Sequence, residues 1–84
     1  MIQEPKLLET QVAVLSVDRA TGHVLTTNGD VYLSDSSLVY FIFDTINLAR
    51  EHIKQVQEKN NTLDFTVYDS NYKLVEFAPL LVFN

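Results

Sequence analysis

Residues 38–59, LVYFIFDTINLAREHIKQVQEK, place apolar side chains at Leu38, Ile42, Ile46, Ala49, Ile53 and Val56, in steps of three and four. A helix turns once in about 3.6 residues, so this spacing predicts one amphipathic helix over the whole stretch, with that stripe as its core face. Ser34-Asp35-Ser36-Ser37 precedes it and is read as its start, since short polar side chains satisfy the first free amides and Asp35 suits the positive end of the dipole. Asn60-Asn61 is read as its stop, asparagine tolerating the left-handed position past a helix end.

Upstream, Gln11–Val17, His23–Thr27 and Asp30–Leu33 read as strands. Gly22 can take a left-handed conformation in the first turn, and Asp18 can bond its own backbone there. Asn28-Gly29 is read as a two-residue type I′ hairpin turn. These turns set Val17 opposite Val24, Thr26 opposite Val31 and Val24 opposite Leu33. One face then collects Ala13, Leu15, Val17, Val24, Val31 and Leu33, and is expected to meet the helix.

Downstream, Leu63–Asp69 alternates, with Leu63, Phe65 and Val67 on one side. Asp69-Ser70-Asn71-Tyr72-Lys73 reads as a type I turn with a bulge, Tyr72 standing where glycine is usual. The return strand is expected to set Val67 opposite Val75 and Phe65 opposite Phe77, which leaves Asp64 and Glu76 on the outer face. Ala78-Pro79 breaks that strand before a short apolar tail, 80–84. Residues 1–84 are thus read as a single α+β domain, β-β-β-α-β-β. Its antiparallel sheet of about five strands, in order 3-2-1-5-4, carries one long helix across one face. Residues 1–10 form an N-terminal arm.

Totals and motifs argue against most chemistry. The net charge is −5, and the six lysines and arginines never cluster, so the basic stripe that phosphate backbones need is missing and no nucleic-acid partner is expected. The longest apolar run, Leu38–Phe43, is far short of a membrane span, and no membrane partner is expected. Met1–Thr10 lacks a basic signal segment and there is no cysteine, which together lean toward a cytoplasmic protein. His23 and His52 lack metal-ligand spacing, so neither a metal nor another cofactor is expected. Two glycines cannot build a phosphate loop, and Ser34, Ser36 and Ser37 are explained by capping without a nucleophile elbow. No catalysis is expected.

What remains is surplus apolar surface. At about 100° per residue from Ile42, Phe41 and Leu48 fall on one shoulder of the helix, Phe43 on the other, and Tyr40 nearly opposite. His52 joins a shoulder. Tyr40, Phe41, Phe43, Leu48 and His52 therefore form the candidate interface, unless the arm and tail fold over them. Leu25, Tyr32, Tyr68 and Leu74 form a second apolar face on the outer side of the sheet. The expected role is a small non-catalytic interaction or regulatory module, acting as a homodimer or with another protein. The alternative is a small-ligand sensor with a pocket between helix and sheet edge.

Overall fold

The valine-rich first strand becomes the middle of the sheet. The computed structural model describes residues 4–32, 38–60 and 62–78. In it β1 is Val12–Asp18, β2 Tyr40–Phe43, β3 Leu63–Tyr68 and β4 Leu74–Ala78, with helix α1 at Ile46–Lys59. The strands lie in the order β2-β1-β3-β4, and every neighbouring pair is antiparallel. β2 and β3 both oppose β1, so they run parallel to each other. Parallel strands cannot be joined by a tight turn, and α1 is the crossover between them, laid over one face. The α+β fold with an antiparallel sheet and one helix is as expected, with four strands in place of about five. The expected order differs: β1 pairs with β3, and the closing strand β4 is an edge.

The helix is shorter than the apolar spacing predicted. Residues 40–43 are an edge strand, and α1 begins after Thr45, whose hydroxyl accepts from the Leu48 amide at 3.3 Å. The cause is local. Val39-Tyr40-Phe41-Ile42-Phe43 is an unbroken β-branched and aromatic run that favours a pleated strand, and Thr45 caps from an extended backbone (φ −140°). The suggested cap at Ser34–Ser37 lies outside the described residues. From Ile46 onward the predicted stripe holds: Ala49 and Ile53 are buried, and Ile46 and Val56 pack against the core. Leu38 and Ile42, off the helix, are instead 72% and 38% exposed. Asn60 ends α1 in an extended conformation (φ −149°) rather than a left-handed one. Its side chain accepts from the Thr62 amide at 3.0 Å.

The faces of β1 are the reverse of the expectation. Val14 sits opposite Phe41 and Val67, and Val12, Val14 and Ser16 face the helix while Ala13, Leu15 and Val17 face away. Both alternate sets are largely apolar, so alternation within β1 could not choose between them. The neighbours choose: Phe41, Phe43, Leu63, Phe65 and Val67 all need the helix side. With Val12, Val14, Ala49 and Ile53 they make the core.

Turn chemistry is followed in part. Gly22 has φ +75°, Asp18 accepts from the Ala20 amide, and Val17 lies opposite Val24 as expected. The two following strands shrink to the bridges Val17–Val24 and Leu25–Val31, one residue off the expected register; Leu33 lies outside the described residues. The type I′ turn fails because Thr26 intervenes. Its hydroxyl accepts from the amides of Asn28 (3.3 Å) and Asp30 (3.2 Å), and its carbonyl accepts from Gly29. Gly29 alone takes positive φ (+90°) there, which gives a type I turn with a glycine bulge.

The last hairpin repeats that pattern with aspartate in the threonine's place. Asp69 accepts from the amides of Asn71 (2.8 Å) and Lys73 (3.0 Å), and Tyr72 takes the left-handed position (φ 58°), as expected. A further irregularity between Val67 and Tyr68 then shifts the ladder. Val67 faces Glu76 rather than Val75, and Phe65 faces Ala78 rather than Phe77. Glu76 therefore lies on the helix side, where Arg50 of α1 reaches it at 3.2 Å, and Phe77 turns outward.

Ile53 is 4% exposed at the centre of the helix stripe. Ile53→Ala is expected to remove about 2–5 kcal/mol of stability, against under about 0.5 kcal/mol for the exposed Lys54→Ala, read from urea titrations. Equal losses would contradict the helix phase.

Candidate functional site

No helix covers the far side of the sheet among the described residues. Its outward positions are Ala13, Leu15 and Val17 on β1, Tyr40 and Ile42 on β2, Asp64, Thr66 and Tyr68 on β3, and Leu74 and Phe77 on β4. Asp64 is the one charged residue among these strand positions, and Arg19 neutralises it at 2.8 Å. Tyr40, Tyr68 and Tyr72 form a cluster in which Tyr40 meets Tyr72 and Tyr68 edge-to-face, with ring centroids 5.5 and 6.3 Å apart, while Tyr68 and Tyr72 are tilted at 6.2 Å. The Tyr72 hydroxyl donates to the Pro5 carbonyl, which ties the N-terminal arm to this cluster. Burial, with Glu4 and the neighbouring tyrosine adding to it, raises the Tyr40 phenol above its ordinary value. Burial likewise raises Tyr72, with Tyr40 and Glu4 adding. Leu74, 63% exposed, and Phe77, 38% exposed, stand on the β4 edge of this face, and Ile42, 38% exposed, stands on the β2 edge.

The tyrosine cluster explains a residue that turn chemistry alone does not. A left-handed tyrosine costs about 1–2 kcal/mol, whereas its aromatic contacts are worth about 0.5–1.5 kcal/mol each and its hydrogen bond about 1 kcal/mol. Tyr72→Gly is therefore expected to destabilise the protein by about 1–2 kcal/mol in a urea titration. A gain in stability would mean that the cluster contributes little.

On the helix side a cavity of about 220 Å³ opens between α1 and the Thr26–Gly29 turn. Phe41, Val56, Leu63 and Phe65 wall it, and Ser16, His52 and the Thr26–Asn28 turn supply polar atoms. The His52 ring packs against Phe41 and Phe43, with centroids at 4.8 and 5.1 Å. Burial against these rings lowers its pKa below the ordinary 6.5. Protonation thus favours the unfolded chain. The stability from burying neutral His52 is present in full above pH 6.5 and is lost as pH falls from there through the depressed folded value. Unfolding midpoints measured from neutral pH down to about pH 5 should fall in the wild type and fall less in His52→Gln. Parallel slopes would contradict this.

The residues marked in the sequence divide between these two places. Phe41, Phe43 and His52 meet on the helix side, Tyr40 turns to the opposite face, and Leu48 stands 46% exposed on α1. They do not share one helix shoulder, because residues 40–43 alternate as a strand. Of the second set, Tyr68 and Leu74 lie on the outer face. Leu25 is buried at 8% exposure and lines the cavity, and Tyr32 is half-buried, its amide donating to Val24. Ile42 and Phe77, expected in the core, lie on the outer face, and Ser16 lines the cavity. The sequence signal for Ser16 was a lone hydroxyl in a valine-rich strand.

No protein-family model matches this chain, no curated protein matches it in sequence, and no solved structure matches it. Among the described residues, no group of three or more His, Cys, Asp or Glu is placed to hold a metal ion, and no helix is long and apolar enough to cross a membrane.

Proposed function

We propose that the protein is a non-catalytic interaction module that pairs with a second copy of itself through the outer face of its sheet. The observation that carries this is the exposed apolar pair Leu74 and Phe77 on the β4 edge, with the tyrosine cluster beside it and Ile42 on the opposite edge, on a face with no helix over it among the described residues. Aromatic side chains, tyrosine among them, are frequent energetic centres of an interface, and apolar neighbours exclude water around them. Charge favours self-pairing at this face in particular. Two copies, each carrying −5, repel at most surfaces. The strands of this face, however, hold one acid, Asp64, already matched by Arg19, which leaves Glu4 of the arm as the acid beside the cluster. An uncharged apolar patch is also self-complementary, as a two-fold dimer requires.

Methyl NMR with a soluble paramagnetic reagent tests this. In the monomer Leu74 is more exposed than Leu48, at 63% against 46%. Pairing through the outer face reverses that order, so Leu74 becomes the better protected as concentration rises. Protection of Leu74 that is already complete on dilution would assign the cover to the chain's own terminal segments. Leu74 remaining the more accessible at every concentration would leave the face unpaired. Either result overturns the proposal.

A further inference from the structure

We infer that the cavity between α1 and the Thr26–Gly29 turn binds a small uncharged molecule, an aromatic ring bearing one hydroxyl. Size comes first. An apolar cavity of about 150 Å³ accommodates benzene, so 220 Å³ accommodates a ring with a short polar substituent and is small for a drug-sized ligand. The walls set the body of the ligand: Phe41, Val56, Leu63 and Phe65 offer carbon surface on several sides.

The polar groups set its handle. Ser16 is 5% exposed and points to the helix side, yet its side chain makes no hydrogen bond among the described residues. Its oxygen is not sealed off either, since among the described residues no side-chain oxygen or nitrogen shut away from solvent lacks a partner. Its hydroxyl therefore opens into the cavity, where it is free to bond a ligand in place of water. His52, neutral at physiological pH, adds one donor and one acceptor at the same cavity. No lysine, arginine, aspartate or glutamate lines the cavity among the described residues, so a charged ligand would lose its hydration with no counter-charge. A hydroxyl, which both donates and accepts, suits Ser16 and His52 alike. This site lies on the side of the sheet opposite the proposed dimer face, so the two readings fail separately.

The experiment is a titration of the full chain with phenol and with benzyl alcohol, followed by amide shifts at Asn28 and Gly29 and by the His52 ring resonances. Saturable shifts are expected, with Ser16→Ala weakening the affinity about 5–10-fold through loss of one hydrogen bond. Val56→Trp, which fills the cavity, should abolish binding while retaining the wild-type far-ultraviolet circular dichroism. Benzoate and benzylamine should give no saturable shift. The inference is overturned if neither alcohol saturates, if Ser16→Ala binds as tightly as the wild type, if a folded Val56→Trp still binds, or if the charged analogues bind equally well.

Discussion

Phe65→Ala is expected to remove about 3–5 kcal/mol of folding stability, the range for truncating a buried phenylalanine. Phe65 is the largest of the side chains with almost no exposure, at 1%, and sits on the central pair of strands opposite Ser16. It packs into the core with Val12, Val14, Ala49, Ile53 and Val67 and also walls the cavity. Truncation would therefore join its vacated volume to an existing opening, which the strands cannot close by collapsing. A chain of 84 residues has about 4–13 kcal/mol of stability at typical values per residue, so the loss is a large share of the whole. Urea titration followed by circular dichroism measures it. A loss under about 1 kcal/mol would mean that this position is not the core the account describes.

The second large effect concerns association. Leu74→Glu combined with Phe77→Glu places two carboxylates in each copy's outer face, four across a two-fold contact. Burying unpaired carboxylates costs several kcal/mol, so the dimer should weaken by at least about a thousandfold. The monomer should tolerate the same changes, because both side chains are already exposed in it, at 63% and 38%. Leu48→Glu on the helix is the matched control, equally apolar to charged and on the other side of the molecule. Phe41→Glu would not serve. Its ring packs against His52 and the core, so that change should unfold the protein rather than separate two copies.

Most places where sequence and structure part company carry two competing physical signals. Leu38, Ile42 and Ile46 keep helical spacing, yet Val39–Phe43 has strand chemistry and Thr45 has capping chemistry, and these win. In β1 both faces are apolar, so its orientation is set by β2 and β3 rather than by itself. Where one signal stood alone it was legible. The stripe from Ile46 to Val56, the inward face of β3, and the left-handed positions of Gly22 and Tyr72 all follow from local pattern or turn geometry. The outer face was legible at Tyr68 and Leu74 but not at Phe77, because the irregularity beside Val67 that turns Phe77 outward has no sequence mark comparable to a glycine.

Sedimentation equilibrium distinguishes an outer sheet face that joins two copies from one that does not. Wild type, Leu48→Glu, and the Leu74→Glu/Phe77→Glu double variant would be run side by side at micromolar concentration. The account predicts twice the 9.6 kDa chain mass for the first two, and the single-chain mass with unchanged circular dichroism for the double variant. A wild type that stays at 9.6 kDa throughout, or a double variant that remains a dimer, would contradict it.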